Sequence, residues 1–455
     1  MRDDIDISDA YVILYDKSGN IGYALYNNRA SEENNALSSY KLYGGESDPF
    51  EYIKLQIPRK KFVQVASPLT EAGALISGIN KIRINAMGTG VYIFASADMS
   101  GETYTITGYC QAHKLTEDVL ASSISGYPFA IIKQILTTTA YGTYISGKFR
   151  YQYVPKNDMS DLLTFPAGTT LWYVIQVCAM YLGCRVFFTG SDAYLVDYRF
   201  VIPSFTSVSV DGGEGVYAPT GAVSTVEHPF DDTGGVSDTY VSDAVCDFDV
   251  IDLYTNDSSR PEYGRVTGQV KLGNEGLTTI MNRVIVTCQG GVKATVESKK
   301  AINQYDKTPY VKEMNIPSLR ESTYDEVAKI LDSESGNIIY NQGSIVASNI
   351  VDYRCESQQS IQFTFKEFVK SGGHVHWIPF FTPSARVRAI RDDADDINIF
   401  NTSSLNRKIV RPQKLMLSSY SRNFPEGTST YKFGVISSVN LENKISEMVT
   451  TQQNS

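Results

Sequence analysis

The feature that most restricts the fold of this chain is the alternation of apolar and polar residues in short runs separated by turn residues. The run over residues 10–25 has β-branched and aromatic residues on both sides of Lys17–Asn20, which predicts a β-hairpin. Residues 80–110 continue as short strands, and the polar segment 27–49 between them reads as a long loop. A period of two favours strands, so residues 1–115 are predicted to be all-β and the whole chain a β-rich α+β protein.

The pattern changes over residues 116–199, where two helices are predicted. Pro128 suits a first helical turn, and apolar residues follow it at helical spacing. A second helix begins after Thr169 or Thr170 and ends at Gly183, which can adopt the left-handed conformation of a helix terminus. Two β-rich runs joined by residues 189–192 follow, so this part of the chain reads as an α/β insert.

Residues 170–188 form the most apolar run in the sequence, and they allow three interpretations. A membrane span needs about 20 unbroken apolar residues, whereas Gly183 ends the helix early and Arg185 follows at once. A reactive-cysteine site is disfavoured because Cys178 and Cys184 have no histidine or cysteine partner nearby in the sequence. The run is therefore predicted to be a packed helix and strand, with no stable membrane insertion.

The second half of the chain is predicted to return to strands. Residues 204–240 are rich in Gly, Ser, Asp and Thr and indicate a long loop or an extended hairpin. Thr323 and Glu326 have the spacing of a capping box, which predicts a third helix. A faint echo between residues 80–84 and 282–286, an Asn-basic-aliphatic-x-aliphatic pattern, suggests a duplication that chance also explains.

Composition restricts the function classes. The formal net charge of -9 offers no general basic field for phosphates, which disfavours sequence-specific nucleic-acid binding. The balance of 42% hydrophobic and 20% charged residues is typical of a globular protein and argues against an integral membrane protein. The six cysteines (110, 178, 184, 246, 288 and 355) lack CxxC pairs and read as free thiols in a reducing compartment.

Each candidate for chemistry has a simpler structural explanation. Residues 142–149 have the glycine and lysine spacing of a phosphate-binding loop, but Phe149 replaces the hydroxyl residue that would hold Mg²⁺. His374 and His376 would share one strand face, yet a metal site would need carboxylates from the segment 392–396, which lacks calcium-loop spacing. Hydrolase motifs are missing and no pair of carboxylates stands out. We therefore predict no enzyme, and no catalytic, cofactor-binding or metal-binding residues.

Taken in order, these features resemble the hub family of phage tails and related injection machines. The family includes baseplate hubs of contractile tails and the N-terminal part of tail-associated proteins in non-contractile tails. The resemblance begins with the hairpin at residues 11–20 and the strand NKIRI. It continues through the helix and hairpin of residues 171–198 and ends with residues 282–331. The surplus of tyrosine, 30 against 20 phenylalanines, also suits an assembly protein.

The resemblance implies two β-barrels similar to tail-tube subunits, small inserts, and three copies in a ring that joins the six-fold tail tube to a three-fold spike. The implied organisation is a first barrel (1–115 and 200–260), an α/β insert (116–199), a second barrel (261–305 and 346–440), a helix-containing insert (306–345) and a C-terminal tail (441–455).

The implied partners are further copies in a homotrimer, the tail tube or distal tail protein, the central spike or tip protein, the tape measure protein, and DNA in transient, non-specific passage. The implied place is the virion tail, after synthesis in the host cytoplasm. Under this interpretation the acidic balance fits a channel that releases DNA.

Two other functions stay open at the level of sequence. A receptor- or carbohydrate-binding tail protein would use the loop 204–240 and the tyrosines as its surface. A cell-wall hydrolase at the tail tip would depend on carboxyl groups that the sequence does not single out.

Overall fold

The computed structural model describes the chain in separate ranges: 5–6, 11–16, 18, 21–26, 39–45, 48–58, 79–85, 90–152, 162–197, 205–208, 216–219, 250–254, 271–274, 280–327, 338–355, 359–366, 368–371, 374–377, 386–391 and 417–434.

The first half of the chain is mostly strands with two α-helices. Its strands are β1 (Ile5–Asp6), β2 (Tyr11–Asp16), β3 (Ile21–Tyr26), β4 (Ser39–Gly44), β5 (Tyr52–Pro58), β6 (Ile79–Ile84), β7 (Gly90–Ser100), β8 (Thr103–Cys110), β9 (Ile124–Gly126), β10 (Phe149–Gln152), β11 (Leu163–Phe165), β12 (Cys184–Phe188), β13 (Ala193–Asp197), β14 (Phe205–Val208) and β15 (Val216–Pro219). The helices are α1 (Pro128–Thr137) and α2 (Leu171–Leu182), preceded by a 3-10 helix at Gln111–Thr116.

The second half repeats this balance. Its strands are β16 (Val250–Tyr254), β17 (Lys271–Asn274), β18 (Arg283–Thr287), β19 (Lys293–Glu297), β20 (Val311–Asn315), β21 (Gln359–Lys366), β22 (Phe368–Ser371), β23 (His374–Trp377), β24 (Arg386–Arg391), β25 (Leu417–Phe424) and β26 (Thr428–Gly434). The helices are α3 (Lys299–Gln304) and α4 (Gln342–Arg354), with a 3-10 turn at Gln289–Gly291.

Eleven strands form one large sheet in the order β17-β21-β26-β25-β4-β5-β8-β7-β6-β2-β3. All its described pairings are antiparallel. In the middle of the sheet, β25 from the C-terminal part of the chain pairs with β4 from the N-terminal part, and Ser421 lies opposite Tyr43. The sheet thus combines strands that the sequence analysis assigned to the first barrel with strands that it assigned to the second.

Strand alternation gives the sheet one buried face and one polar face. In β8 the burial of side chains alternates at every residue, as a half-buried strand requires. The buried side chains of the sheet include Val12, Leu14, Tyr40, Leu42, Ile53, Leu55, Ile57, Ile82, Ile106 and Phe424, and they share one hydrophobic core with helices α1, α2 and α4. The buried face of the sheet therefore belongs to the same core as these helices.

The α/β insert has the predicted elements. Helix α1 begins with Pro128 at its first turn, and α2 ends at Gly183, whose φ of 71° is left-handed. Strand β13 pairs antiparallel with β12 and parallel with β10. The hairpin and helix predictions for this region are confirmed.

Residues 280–327 and 338–355, which we call the second helix-bearing region, contain helices α3 and α4 and a three-stranded sheet. In this sheet β18 lies in the centre, between antiparallel β19 and parallel β20. Residues 324–327 are helical, and their capping box is present: the Thr323 N–H donates to Glu326 Oε2 at 2.8 Å and the Glu326 N–H to Thr323 Oγ1 at 3.3 Å. The two halves of the sequence echo lie in different settings, since β6 belongs to the large sheet and β18 to this one.

Two elements differ from the sequence analysis. Residues 39–44, assigned to a loop, form β4 in the middle of the large sheet, because Tyr40 and Leu42 point into the core while polar residues alternate with them. Helix α4, in a region expected to return to strands, is buried against β18, β19 and α2. Its β-branched residues disguise the helical spacing.

The β-rich α+β class is confirmed. Within the described ranges, no sheet closes into a barrel. The two barrels, the domain boundaries and the trimeric ring stay predictions.

Candidate functional site

A buried carboxyl group joins three distant parts of the chain. Glu51 directly precedes β5 and is only 3% exposed. Its Oε1 accepts hydrogen bonds from the Tyr92 hydroxyl at 2.6 Å and from the Gly190 N–H at 2.8 Å. Its Oε2 accepts a hydrogen bond from the Tyr420 hydroxyl. The donors belong to β7, to the turn between β12 and β13, and to β25, so Glu51 links both halves of the large sheet to the α/β insert.

Backbone contacts beside Glu51 dock the insert on the sheet. The Glu51 N–H donates to Phe188 O at 3.0 Å, and the Phe188 N–H donates to Pro49 O at 2.6 Å. The Phe50 ring stacks on the Phe188 ring with centroids 5.3 Å apart, and it meets Trp172 of α2 edge-on at 4.8 Å. Paired backbone groups and packed rings together hold the insert in one position.

Two glycines allow the sheet and the insert to approach this closely. A Cβ atom added at Gly90 would lie 2.5 Å from the Gly190 Cα, and one added at Gly190 would lie 2.7 Å from the Tyr92 hydroxyl. Both are shorter than real Cβ contacts. Any side chain at either position would push the insert away from Glu51.

The electrostatics of this junction favour a structural role. Burial raises the pKa of Tyr92 and of Tyr420 well above the usual 10.0, and the charge of Glu51 raises each pKa further. Both phenols therefore stay protonated and keep donating to Glu51. A pair of permanent donors fixes the carboxyl group in place.

The two helix-bearing regions also contact each other directly. On α4, Asn349 Nδ2 donates to Met180 O at 3.1 Å and to Tyr181 O at 2.8 Å, near the end of α2. Gln342 Nε2 donates to Leu162 O at 3.2 Å. The two Asn349 bonds satisfy carbonyl groups at the end of α2. All three bonds hold the second helix-bearing region against the α/β insert.

The large sheet has a second face, on the side opposite its buried side chains. We call it the outer face, and it consists of the solvent-facing side chains of the described strands. Three tyrosines form a row across adjacent strands, because Tyr43 lies opposite Tyr52 and Tyr52 opposite Tyr109. Their ring centroids are 4.9 Å and 5.5 Å apart. The Lys54 ammonium lies 5.6 Å from the Tyr43 centroid and 5.7 Å from that of Tyr52, within cation–π range.

Most described side chains of the outer face are polar, with Ile13, Val91 and Ile93 as apolar exceptions, and its charged side chains are mostly cations. Besides the tyrosine row, its other polar uncharged side chains are Tyr11, Tyr15, Ser39, Gln56, Ser96, Ser100, Thr103, Thr105, Thr107, Gln362, Thr364, Ser419, Ser421, Asn423, Thr428 and Thr430. Its charged side chains are Lys41, Lys54, Lys81, Arg83, Lys432 and the single carboxyl group Asp98. Sequence reasoning missed this surface because the charges come from strands far apart in the chain.

Residues 142–149, which have the spacing of a phosphate-binding loop, form hydrogen bonds within the α/β insert. The Gly147 N–H donates to Ser191 O at 3.0 Å, and the Lys148 N–H donates to Asp192 Oδ1 at 2.8 Å. Those two backbone donors are already used, and Phe149 begins a strand where a phosphate loop would begin a helix. The interpretation as a glycine-containing connection is confirmed.

Cysteines 110, 178, 184 and 288 are buried, Cys355 is partly buried, and none of these five forms a disulfide bond. Burial raises the pKa of the Cys178 thiol well above its usual value. For Cys288, burial and then the charge of Glu321 raise the pKa to about 12. A thiol with a pKa raised in this way stays protonated, which argues against Cys178 as a reactive cysteine. Cys246 lies outside the described residues.

His374 and His376 lie on β23, and the aspartates at 392–396 lie outside the described residues. The part of the chain that the structure describes contains no cluster of three or more potential metal ligands. None of its helices is long and apolar enough to span a membrane. Of the loop at residues 204–240, the structure describes the antiparallel pair β14 and β15.

No protein-family model and no curated protein sequence matches the chain. Solved structures of phage tail proteins are similar to it over nearly its whole length. A tail protein from Neisseria meningitidis covers 94% of this chain and 97% of its own, with 11% identity and a TM-score of 0.45. A prophage 43 kDa tail protein from Shewanella oneidensis covers 94% and 98%, with 9% identity and a TM-score of 0.46. A prophage tail protein from Listeria monocytogenes covers 98% and 100%, with 7% identity and a TM-score of 0.43.

Proposed function

We propose that this chain is a structural component of a phage tail baseplate, or of a related injection machine, and that it acts there as the hub. Three copies would form a ring that joins the six-fold tail tube or distal tail ring to the three-fold central spike or tip. The ring would line the channel through which DNA passes. The tape measure protein would be a further partner.

One observation carries this proposal. Strands from both ends of the chain share one sheet, and a single hydrophobic core joins that sheet to the α/β insert and to the second helix-bearing region. The Glu51 junction adds hydrogen bonds between the same parts. A protein held together in this way transmits force without its parts separating, which is what an adaptor between two rigid assemblies requires.

The segments that carry the sequence resemblance support the same proposal. The hairpin β2–β3, the α2–β12–β13 unit and the β18–β19–β20 sheet are all formed, in the order of the segments on which the resemblance rests. No catalytic residue belongs to the proposal, and its work is mechanical.

The test is to locate the chain in a purified particle by cryo-electron microscopy, with an antibody fragment against an exposed tag as the marker. We expect three copies in a ring on the tail axis, and a trimeric mass for the isolated ring. Copies at the periphery of the baseplate would contradict the hub and favour receptor binding. Peptidoglycan cleavage abolished by a carboxyl substitution would instead favour the hydrolase.

A further inference from the structure

We infer that the outer face of the large sheet binds the phosphate backbone of double-stranded DNA, without sequence preference. The binding surface is the tyrosine row with Lys41, Lys54, Lys81 and Arg83 around it. The inference rests on the proposed function only for the source of the DNA, because the charge of the face follows from the strand registers. It departs from the expectation of an acidic channel that releases DNA, which rested on the total charge of the chain alone.

The charge of this face is opposite to that of the chain. The formal net charge of the whole protein is -9, yet five cations and one carboxyl group project from the outer face. Other nearby carboxyl groups are at the margins, with Asp48 in the loop before β5 and Glu102 and Glu426 in turns at the strand ends. Asp98 on β7 separates Lys41 and Lys54 from Lys81 and Arg83, but the cations outnumber it, so a polyanion is the ligand that the charge of the face complements.

Two lysines on this face lie directly opposite each other. Lys41 of β4 pairs with Lys54 of β5 in the antiparallel register, and both side chains are exposed. Like charges in this position destabilise a sheet. A bound phosphate between the two ammonium groups would remove the repulsion.

The uncharged side chains of the face suit the same ligand. Asn423 lies opposite Lys41, Thr107 opposite Lys54 and Tyr15 opposite Lys81. Together with Lys and Arg, these are the side chains that donate hydrogen bonds to phosphate oxygens in protein–DNA interfaces. They position a backbone without reading bases, so the contact carries no sequence preference.

An acidic protein surface is the competing ligand. Lysine is depleted at protein–protein interfaces relative to the rest of the surface, whereas three of the four cations around the tyrosine row are lysines. The composition of the face therefore favours phosphates.

Binding of the full-length protein to a short labelled DNA duplex tests the inference by fluorescence anisotropy over a range of salt concentrations. Four neutralised phosphates give a slope of log affinity against log salt of roughly -3.6. Between about 50 and about 200 mM salt, affinity should then fall roughly 100-fold. Two unrelated duplex sequences should bind equally.

A double substitution, Lys41→Gln with Lys54→Gln, should make the slope shallower by about two. The matched control is Lys299→Gln with Lys300→Gln, two exposed lysines at the start of α3, outside the large sheet. The control should leave the slope unchanged. Circular dichroism of both variants verifies folding, and the outer-face variant should be at least as stable as the wild type because it loses a like-charge pair.

Three results would overturn the inference. One is a folded wild type that does not bind duplex at about 50 mM salt. Another is that both double variants make the slope of log affinity against log salt shallower by the same amount. The third is salt-sensitive self-association without DNA binding, reversed by the outer-face variant, which would make an acidic surface of a second copy the ligand. None of these results bears on where the chain lies in a particle, so the hub is tested separately.

Discussion

At the scale of single residues, Glu51 accepts hydrogen bonds from three distant parts of the chain. A carboxyl group this deeply buried is costly unless its oxygens are hydrogen-bonded, and here two phenols and one backbone N–H supply the bonds. The donors are 41, 139 and 369 residues away in sequence. One side chain therefore depends on the correct placement of three separate regions.

Replacing Tyr92 with phenylalanine removes one donor and leaves Glu51 Oε1 with the Gly190 N–H as its partner. We expect the free energy of unfolding to fall by about 1.5–3 kcal/mol, the usual contribution of a hydrogen bond to a charged group. Urea unfolding followed by fluorescence measures this change. Tyr109→Phe is the control, because Tyr109 is partly exposed on the outer face, and its effect should stay below about 0.5 kcal/mol. Equal effects of the two changes would show that the hydrogen bond to Glu51 contributes nothing.

At the scale of elements, helix α2 is the centre of the packed region. All twelve of its residues are buried. The reason is that α1, α4, β12 and the 3-10 helix Gln111–Thr116 contact it from several sides. A helix enclosed in this way tolerates no charge at any position, so its apolar sequence reflects its surroundings.

Cys178 of α2 is fully buried, and Cys178→Asp would place an ionisable carboxyl group among apolar side chains. We expect the α/β insert to unfold, because the charged form cannot be solvated there. Loss of helical circular dichroism and rapid proteolysis within residues 116–199 would report it. Gln134→Asp on α1 is the control, since Gln134 is exposed, and it should leave the insert folded. An intact insert in Cys178→Asp would contradict the register of α2.

At the scale of the whole molecule, the large sheet makes distant segments depend on each other. Strand β25 pairs with β4, and the Tyr40 ring stacks on Phe424 with centroids 4.7 Å apart. Both side chains are buried in the shared core. A substitution that destabilises the C-terminal strands of the sheet should therefore also destabilise its N-terminal strands.

Phe424→Ala tests this dependence. A buried phenylalanine lost from a core costs about 3–5 kcal/mol, so hydrogen exchange should rise in β25 and β26. If the sheet unfolds as one unit, exchange should rise equally in β4 and β5. Leu162→Ala is the control, because Leu162 is 53% exposed. Faster exchange confined to residues 261–440 would instead indicate two independent barrels.

The sequence was sufficient for local structure, because local structure depends on nearby residues. Period-two alternation predicted the hairpin β2–β3, Pro128 marked the start of α1 and Gly183 marked the end of α2. The same local reasoning failed at β4 and α4, where burial between distant strands and helices decides the conformation. Propensity is a weak guide wherever tertiary packing is strong.

The sequence by itself determined which side chains share a side of each strand, since successive residues alternate. It also determined the total charge of -9. Only the tertiary structure decided which strands are neighbours and in which register, and so placed Lys41 beside Lys54 and Glu51 among its three donors. Charge adds up along a chain regardless of order, whereas the field at a surface depends on where the charges lie in space.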